Sequence, residues 1–186
     1  EKMKIIECVP NFSEGKDLSL IKKITDSIEG VSGVTLLDVD LGADTNRTVV
    51  TIVGDPESVI KSACSGIQVA TELIDMNKHK GAHARMGATD VCPFVPISNV
   101  TMQECIDYSY KLAEMVGANL GIPVFLYEHS ANKKYKKNLA EIRSGEYEGM
   151  SSKLQSSKWK PDFGPLAPHP TAGVMAIGAR SFLIAY

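Results

Sequence analysis

The order of strand-like and helix-like segments is the feature that most restricts the fold of this 186-residue chain. Strands are predicted where apolar residues alternate or form short runs, and helices where they recur every three or four residues. The predicted strands cover residues 4–10, 34–42, 47–54, 91–97, 123–127 and 174–186, and the predicted helices cover residues 17–30, 55–80 and 101–116. Helices that alternate with strands but flank a hairpin favour an α+β fold.

The fold expected from this order is a mixed β-sheet with helices packed on one face. Its core is a ferredoxin-like βαββαβ unit, followed by an extra C-terminal strand. Because the chain has the length of one domain, we expect residues 1–186 to form a single domain. Pro93 and Pro96 interrupt the strand over residues 91–97, and since proline cannot donate to a sheet ladder, this strand is expected at an edge or in an irregular piece.

Composition narrows the classes of function. A formal net charge of −2 gives no basis for nucleic-acid binding, and no apolar run approaches the roughly 20 residues that cross a membrane. The start of the chain has no long apolar segment typical of a signal peptide. The four cysteines lie far apart, which favours reduced thiols and a cytoplasmic protein. The motifs of nucleotide-binding loops and serine hydrolases do not occur.

The segment "KHKGAHARMG" raises the question of a metal site, because His79 and His83 are four residues apart. Gly81 between them is expected to end the second helix, and no glutamate follows His79 as a zinc protease would require. The cations at residues 78–80 are explained by the negative end of the helix dipole. We therefore expect no metal.

His83 lies beyond the predicted helix end, among small residues that leave its imidazole approachable. An imidazole can move a proton near neutral pH, so His83 is a candidate general acid and base. Arg85 could hold a substrate carboxylate through two N–H donors. The alternative is a histidine hydrogen-bonded in a loop for structural reasons, and spacing alone does not decide between the two.

Two further features have both a functional and a structural interpretation. Asp38 and Asp40 share one face of a predicted strand, where Asp40 could orient His83, or both could simply face solvent. The proline-rich segment after Asp162 is a stiff loop that could form a ligand wall or only connect two elements.

Several blocks along nearly the whole chain resemble the formiminotransferase domain family. They are "ECVPNFSEG", "LLDVD" with "NRTV", "LIDM" leading into "HKGAHARMGATDVCPF", "IRSGEYEG", "WKPDFGP" and "GARSFLIA". The resemblance implies transfer of a formimidoyl group from N-formimidoyl-L-glutamate to N5 of tetrahydrofolate, a step of histidine degradation, without a metal. The family's catalytic histidine falls on His83. We infer that Asp40 supports it and that Arg85 contacts the substrate anion.

The family's folate-contacting segment falls on ten consecutive residues of the proline-rich loop. These are Gly164, Pro165, Leu166, Ala167, Pro168, His169, Pro170, Thr171, Ala172 and Gly173. Family enzymes carry two similar subdomains with a substrate tunnel between them, and this chain resembles the first subdomain. A homodimer or a separate second-subdomain chain could complete the tunnel. The alternative function is a non-catalytic subdomain that binds folate or another anion.

Overall fold

A computed structural model of the protein describes residues 2–182. The strands are β1 (Ile5–Cys8), β2 (Asn11–Phe12), β3 (Val34–Gly42), β4 (Arg47–Gly54), β5 (Thr89–Ser98), β6 (Val124–Glu128) and β7 (Met175–Ala179). The helices are α1 (Leu18–Glu29), α2 (Pro56–Leu73), α3 (Met102–Leu120), α4 (Leu139–Arg143) and α5 (Glu146–Lys153). A short 3₁₀ helix, Lys134–Lys136, precedes α4. The predicted last strand is confirmed up to Ala179, and residues 183–186 of that prediction lie outside the described residues.

The seven strands form one mixed sheet. β1 and β2 both lie between β4 and β5, so together they form one strand interrupted at residues 9–10. The spatial order is therefore β3, β4, β1 with β2, β5, β7, β6, with parallel pairing only at β5–β7 and β6–β7. The first four positions have the order of a ferredoxin-like unit, which confirms the predicted βαββαβ core. The predicted strand over residues 123–127 and the extra C-terminal strand extend this core as β6 and β7.

The position of β5 differs from the prediction, because this strand is central and not at an edge. β5 pairs with β1 and β2 on one side and with β7 on the other. Its prolines are tolerated because each faces a gap. Pro93 faces the interruption between β1 and β2, where its carbonyl accepts from the Val9 N–H at 3.1 Å. Pro96 faces the side of β7, which has already ended at Ala179 opposite Phe94. Neither missing N–H is needed there.

Local capping signals set the ends of the long helices. Asp55 caps α2 by accepting from the Ser58 N–H, with proline following it. Thr101 and Glu104 form the predicted capping box of α3. α1, α2 and α3 cover one face of the sheet, where apolar residues of both layers form the main core around Phe12, Ile52, Phe94 and Leu126.

The opposite face of the sheet is covered only in part. α4 and α5, which the sequence did not place there, pack Ile142 and Met150 against Phe125 and Ala176 of β6 and β7. Across β3 and β4 this face stays open, and Asp38 and Asp40 lie exposed on it. We call the uncovered part over β1 to β4 the open face.

The prediction that residues 78–80 end α2 is wrong. α2 ends at Leu73, and Ile74 caps it in an extended conformation. The chain then turns, with the Asp75 carboxylate accepting from the Asn77 N–H at 3.0 Å, so that Ile74 and Met76 are buried in the core. Burial of these two apolar side chains explains why the helix stops before the cations. Among the described residues, no helix is both long enough and apolar enough to cross a membrane.

Candidate functional site

The segment between α2 and β5 holds His83 and is fastened to the turn between β3 and β4. Asn46, at φ 52°, joins the two by donating from its side chain to the Lys80 carbonyl at 2.9 Å. The Ala82 N–H also donates to the Asp44 carbonyl at 3.3 Å. Gly81 lies so close that a Cβ there would sit 2.3 Å from the Thr45 carbonyl oxygen. His83 is thereby held at the start of β4, although it lies outside regular secondary structure itself.

The His83 ring is half-buried and has a polar partner on each nitrogen. Nδ1 lies 2.6 Å from the carbonyl oxygen of Ala84, and Nε2 lies 2.9 Å from Nη1 of Arg47. Because a carbonyl only accepts and a guanidinium only donates, this geometry fits the neutral tautomer with its proton on Nδ1. Nε2 then carries the lone pair, which accepts from Arg47 and becomes available to a proton when that guanidinium is displaced.

Charged groups surround Arg47 from three elements. Burial, and then the charge of Arg143, lower the pKa of Arg47, whereas Asp90 and Asp40 act in the opposite direction. Asp90 accepts from the Met86 N–H at 2.6 Å and pairs with Arg143 through its other oxygen at 2.5 Å. Within residues 2–182 no hydrogen bond joins Asp40 to His83; Asp40 acts on Arg47 through its charge, and Arg47 is hydrogen-bonded to His83.

Arg85 is buried and its guanidinium is engaged within the chain. It forms a two-pronged pair with Glu148, at 2.9 and 2.5 Å, and also donates to Glu146 at 3.1 Å. This pairing lowers the pKa of Glu148 to about 2. A substrate carboxylate could reach Arg85 only by replacing one of these partners, so the expected anion contact stays a prediction.

His79 belongs to the same network and not to a helix end. Its Nδ1 accepts from Nε of Arg85 at 3.2 Å, and its Nε2 lies 2.8 Å from the Asn46 carbonyl oxygen. Both ring nitrogens therefore have structural partners, and His79 and His83 face different groups. Within residues 2–182, no three His, Cys, Asp or Glu side chains are grouped so as to hold a metal ion.

The loop over residues 164–173 is tied at both ends. Asp162, just before it, accepts from the Leu126 N–H of β6 at 2.8 Å and pairs with Lys136. At the other end, Ala172 accepts from the Ala88 N–H at 2.9 Å, which joins the loop to the segment that carries His83. Inside the loop, Nδ1 of His169 accepts from the Ala172 N–H at 3.0 Å, and burial lowers its pKa.

A cleft of about 340 Å³ lies between this loop and α5. Tyr147 crosses its floor, donating to Asn77 at 2.8 Å, and Asn77 donates in turn to the Pro170 carbonyl at 2.7 Å. Leu166 at the loop tip is 49% exposed. Rigid backbone, an aromatic ring and an exposed apolar side chain form a surface suited to a flat ring system.

Sequence reasoning missed Arg47, Asp90 and Arg143 as site residues. All three lie in the blocks "NRTV", "GATDV" and "IRSGEYEG", but their separation along the chain hides that they converge. The signal that could have found Arg47 and Arg143 is that all four arginines of the chain lie within the blocks that resemble the family.

Comparison with known proteins shows the family of the chain. The profile described as "Formiminotransferase domain, N-terminal subdomain" matches residues 5–180. The chain is 54% identical to a formimidoyltransferase-cyclodeaminase of Dictyostelium discoideum, covering 98% of this chain and 34% of that protein. It is 50% identical to a glutamate formimidoyltransferase of Streptococcus pyogenes serotype M1, with 98% and 61% covered. A glutamate formimidoyltransferase of Thermoplasma acidophilum is 45% identical, with 99% and 61% covered. The chain thus spans between a third and three fifths of these relatives.

Proposed function

Because the chain belongs to the formiminotransferase domain family, as its N-terminal subdomain, we propose that it takes part in formimidoyl transfer. The donor is N-formimidoyl-L-glutamate and the acceptor is N5 of tetrahydrofolate, in histidine degradation. Residues 1–186 act as one unit in this proposal, and no metal is required. The free thiols of all four cysteines are in keeping with a reducing compartment, and we propose the cytoplasm.

The arrangement of His83 is the observation that carries the proposal. Once Nη1 of Arg47 has moved off Nε2, the Nε2 lone pair can take the proton that N5 of tetrahydrofolate loses when the N5–carbon bond forms. The same nitrogen can return that proton to the glutamate nitrogen as its bond to the carbon breaks. One imidazole thus serves both half-steps and is neutral again at the end.

Other residues have supporting roles in the proposal. Asp40 acts on His83 through Arg47, because its charge raises the pKa of that guanidinium and favours the cationic form. Arg85 fastens the His83 segment to α5, and its proposed second role is contact with the substrate anion after one of its glutamate partners is displaced. The loop from Gly164 to Gly173 forms the folate wall, since it joins both the cleft of Tyr147 and the segment of His83.

The open face supports a role for a second layer of protein. Asp38 and Asp40 are exposed there, although charged side chains beside a reaction centre act more strongly when water is excluded. We propose that a second subdomain, in a separate chain or in a homodimer, covers this face and completes the folate site. The exposure of the same face also supports the alternative, a non-catalytic subdomain that binds folate or another anion.

A spectroscopic assay of formimidoyl transfer tests the function. The purified chain, alone and with a second subdomain of the family, is compared with His83→Ala. Loss of a general acid and base is expected to reduce the transfer rate by about 10²- to 10⁴-fold, while far-UV circular dichroism stays unchanged. Equal rates in both chains would remove His83 from the reaction. Saturable folate binding without transfer in either setting would favour the non-catalytic alternative.

A further inference from the structure

Two arginines lie at the same end of the open face, near His83. Arg47 is the first residue of β4, and Arg143 is the last residue of α4 and reaches Asp90 on β5. Only β2 lies between β4 and β5 at this point, with Asn11 paired to both strands. The effect of Arg143 on the pKa of Arg47 agrees with this closeness. Asp90 pairs with Arg143, whereas within residues 2–182 no carboxylate forms an ion pair with Arg47.

Both guanidinium groups have donors to spare. Nη2 of Arg143 donates to Asp90, but its Nε is buried without an acceptor among residues 2–182. Within residues 2–182, the Arg47 guanidinium forms hydrogen bonds only with the ring of His83, through Nη1. A buried donor without an acceptor costs free energy, so native proteins rarely leave one. The Arg143 side chain is 11% exposed, so an acceptor from outside the chain would reach its terminal N–H groups and not the buried Nε.

The neighbouring carboxylates leave this pair with unbalanced positive charge. Asp90 is 1% exposed, and its two oxygens are already taken by Arg143 and by the Met86 and Gly87 N–H groups. Asp40 is exposed, so solvent screens its charge. Asp90 therefore positions Arg143 and offsets one of the two cations.

We propose that Arg47 and Arg143 bind the two carboxylates of the glutamate portion of the donor; this inference rests on the proposed function. Arg47 touches His83, so it binds the α-carboxylate, which is attached next to the reacting nitrogen. Arg143 binds the side-chain carboxylate. Planar guanidinium groups suit this task because they bind a carboxylate through two parallel N–H bonds.

Binding of the product L-glutamate tests the inference without any chemistry. Titration calorimetry on the purified chain compares L-glutamate with L-glutamine, which lacks only the side-chain charge. We expect glutamate to bind at least about tenfold more tightly, as for the loss of a charge-assisted hydrogen bond.

Variants then assign each carboxylate. Arg143→Met is made together with Asp90→Asn, so that no unpaired carboxylate is left buried. In this double variant, glutamate and glutamine should bind equally weakly. In Arg47→Met both should weaken while the preference for glutamate remains. Arg180→Met, at the end of β7, is the matched control and should change neither affinity.

Each outcome bears on one claim. No saturable glutamate binding by the wild-type chain, or an unchanged glutamate preference in the folded Arg143 double variant, would overturn the inference. Formimidoyl transfer with an unaltered KM for the donor in that variant would also overturn it, while leaving the proposed function intact. Glutamate binding with the expected preferences, but no transfer with a second subdomain, would refute the proposed function alone.

Discussion

The buried ion pair before the folate loop gives the most demanding prediction about stability. The Lys136 and Asp162 side chains are 7% and 6% exposed, with 3.3 Å between Nζ and Oδ1. Lys136 also donates to the Lys160 carbonyl at 2.9 Å, and Asp162 accepts from the Leu126 N–H at 2.8 Å. Together these bonds fasten the start of the loop to β6.

Lys136→Met removes the cation and keeps most of the side chain's volume. It leaves a buried carboxylate with one N–H partner, which is expected to cost about 3–5 kcal/mol of unfolding free energy. For a chain of this length the melting temperature should fall by about 6–20 °C. In Lys136→Met with Asp162→Asn, the amide oxygen can still accept from Leu126 without carrying a charge. The cost should then shrink to about 1–2 kcal/mol.

Urea unfolding followed by circular dichroism measures both variants, with the slope m required to stay constant. Lys137→Met is the matched control, because Lys137 is exposed and adjacent, and it should change stability by less than about 0.5 kcal/mol. Two results would refute the reasoning. One is a Lys136→Met variant as stable as the control, and the other is a double variant as unstable as the single one.

Three further predictions concern the loop over residues 164–173 and the cleft between this loop and α5. Gly173→Ala should lower the urea midpoint of unfolding, because Gly173 has φ 70° and a Cβ there would lie 2.3 Å from a carbonyl oxygen. Its control is Gly149→Ala in α5, where a Cβ would meet nothing within 4 Å, and this variant should leave the midpoint unchanged or raise it. Glu148 has a pKa of about 2 instead of 4.5, so its contribution to stability is present above about pH 4.5 and is lost as pH falls towards 2. Glu148→Gln should therefore weaken the pH dependence of the free energy of unfolding between about pH 4.5 and 2, whereas Glu114→Gln on α3 should not. Burial lowers the pKa of His169, so its contribution to stability is present above about pH 6.5 and is lost below it. His169→Gln should remove this part of the pH dependence of the melting temperature between about pH 7 and 5. An unchanged pH dependence would contradict the role of the His169 ring.

The fold was predictable wherever its signals are local. Asp55 before proline and the pair Thr101 with Glu104 fixed two helix starts, because each cap bonds only to residues three positions away. The prediction of an edge position for β5 was wrong, because a central strand can contain proline where the neighbouring strand has no carbonyl that needs the missing N–H. That depends on the neighbouring strands and not on β5 alone. The end of α2 was wrong because burial of Ile74 and Met76, which is a tertiary effect, overrode the match of cations to a helix dipole.

The sequence predicted where the candidate site lies, at His83, but not which side chains contact it. Small residues around His83 marked an approachable imidazole, but Arg47, its polar neighbour, lies 36 residues earlier in the chain. The partner of Asp90 lies 53 residues away. Arg85 attracted attention by its nearness in sequence, yet its side chain turns to glutamates more than 60 residues later. Sequence distance gives no measure of which charges meet across a sheet.

The two prolines of β5 also determine which alignment of the sheet can form. In the native alignment Pro93 meets the interruption between β1 and β2, and Pro96 lies beyond the end of β7. A slip of one residue would turn each proline towards the other neighbour and leave carbonyls of an adjacent strand without a donor. The prolines therefore disfavour a shifted register of β5 during folding. Because β5 carries Asp90, the correct register also fixes the position of Asp90 relative to Arg47 on β4.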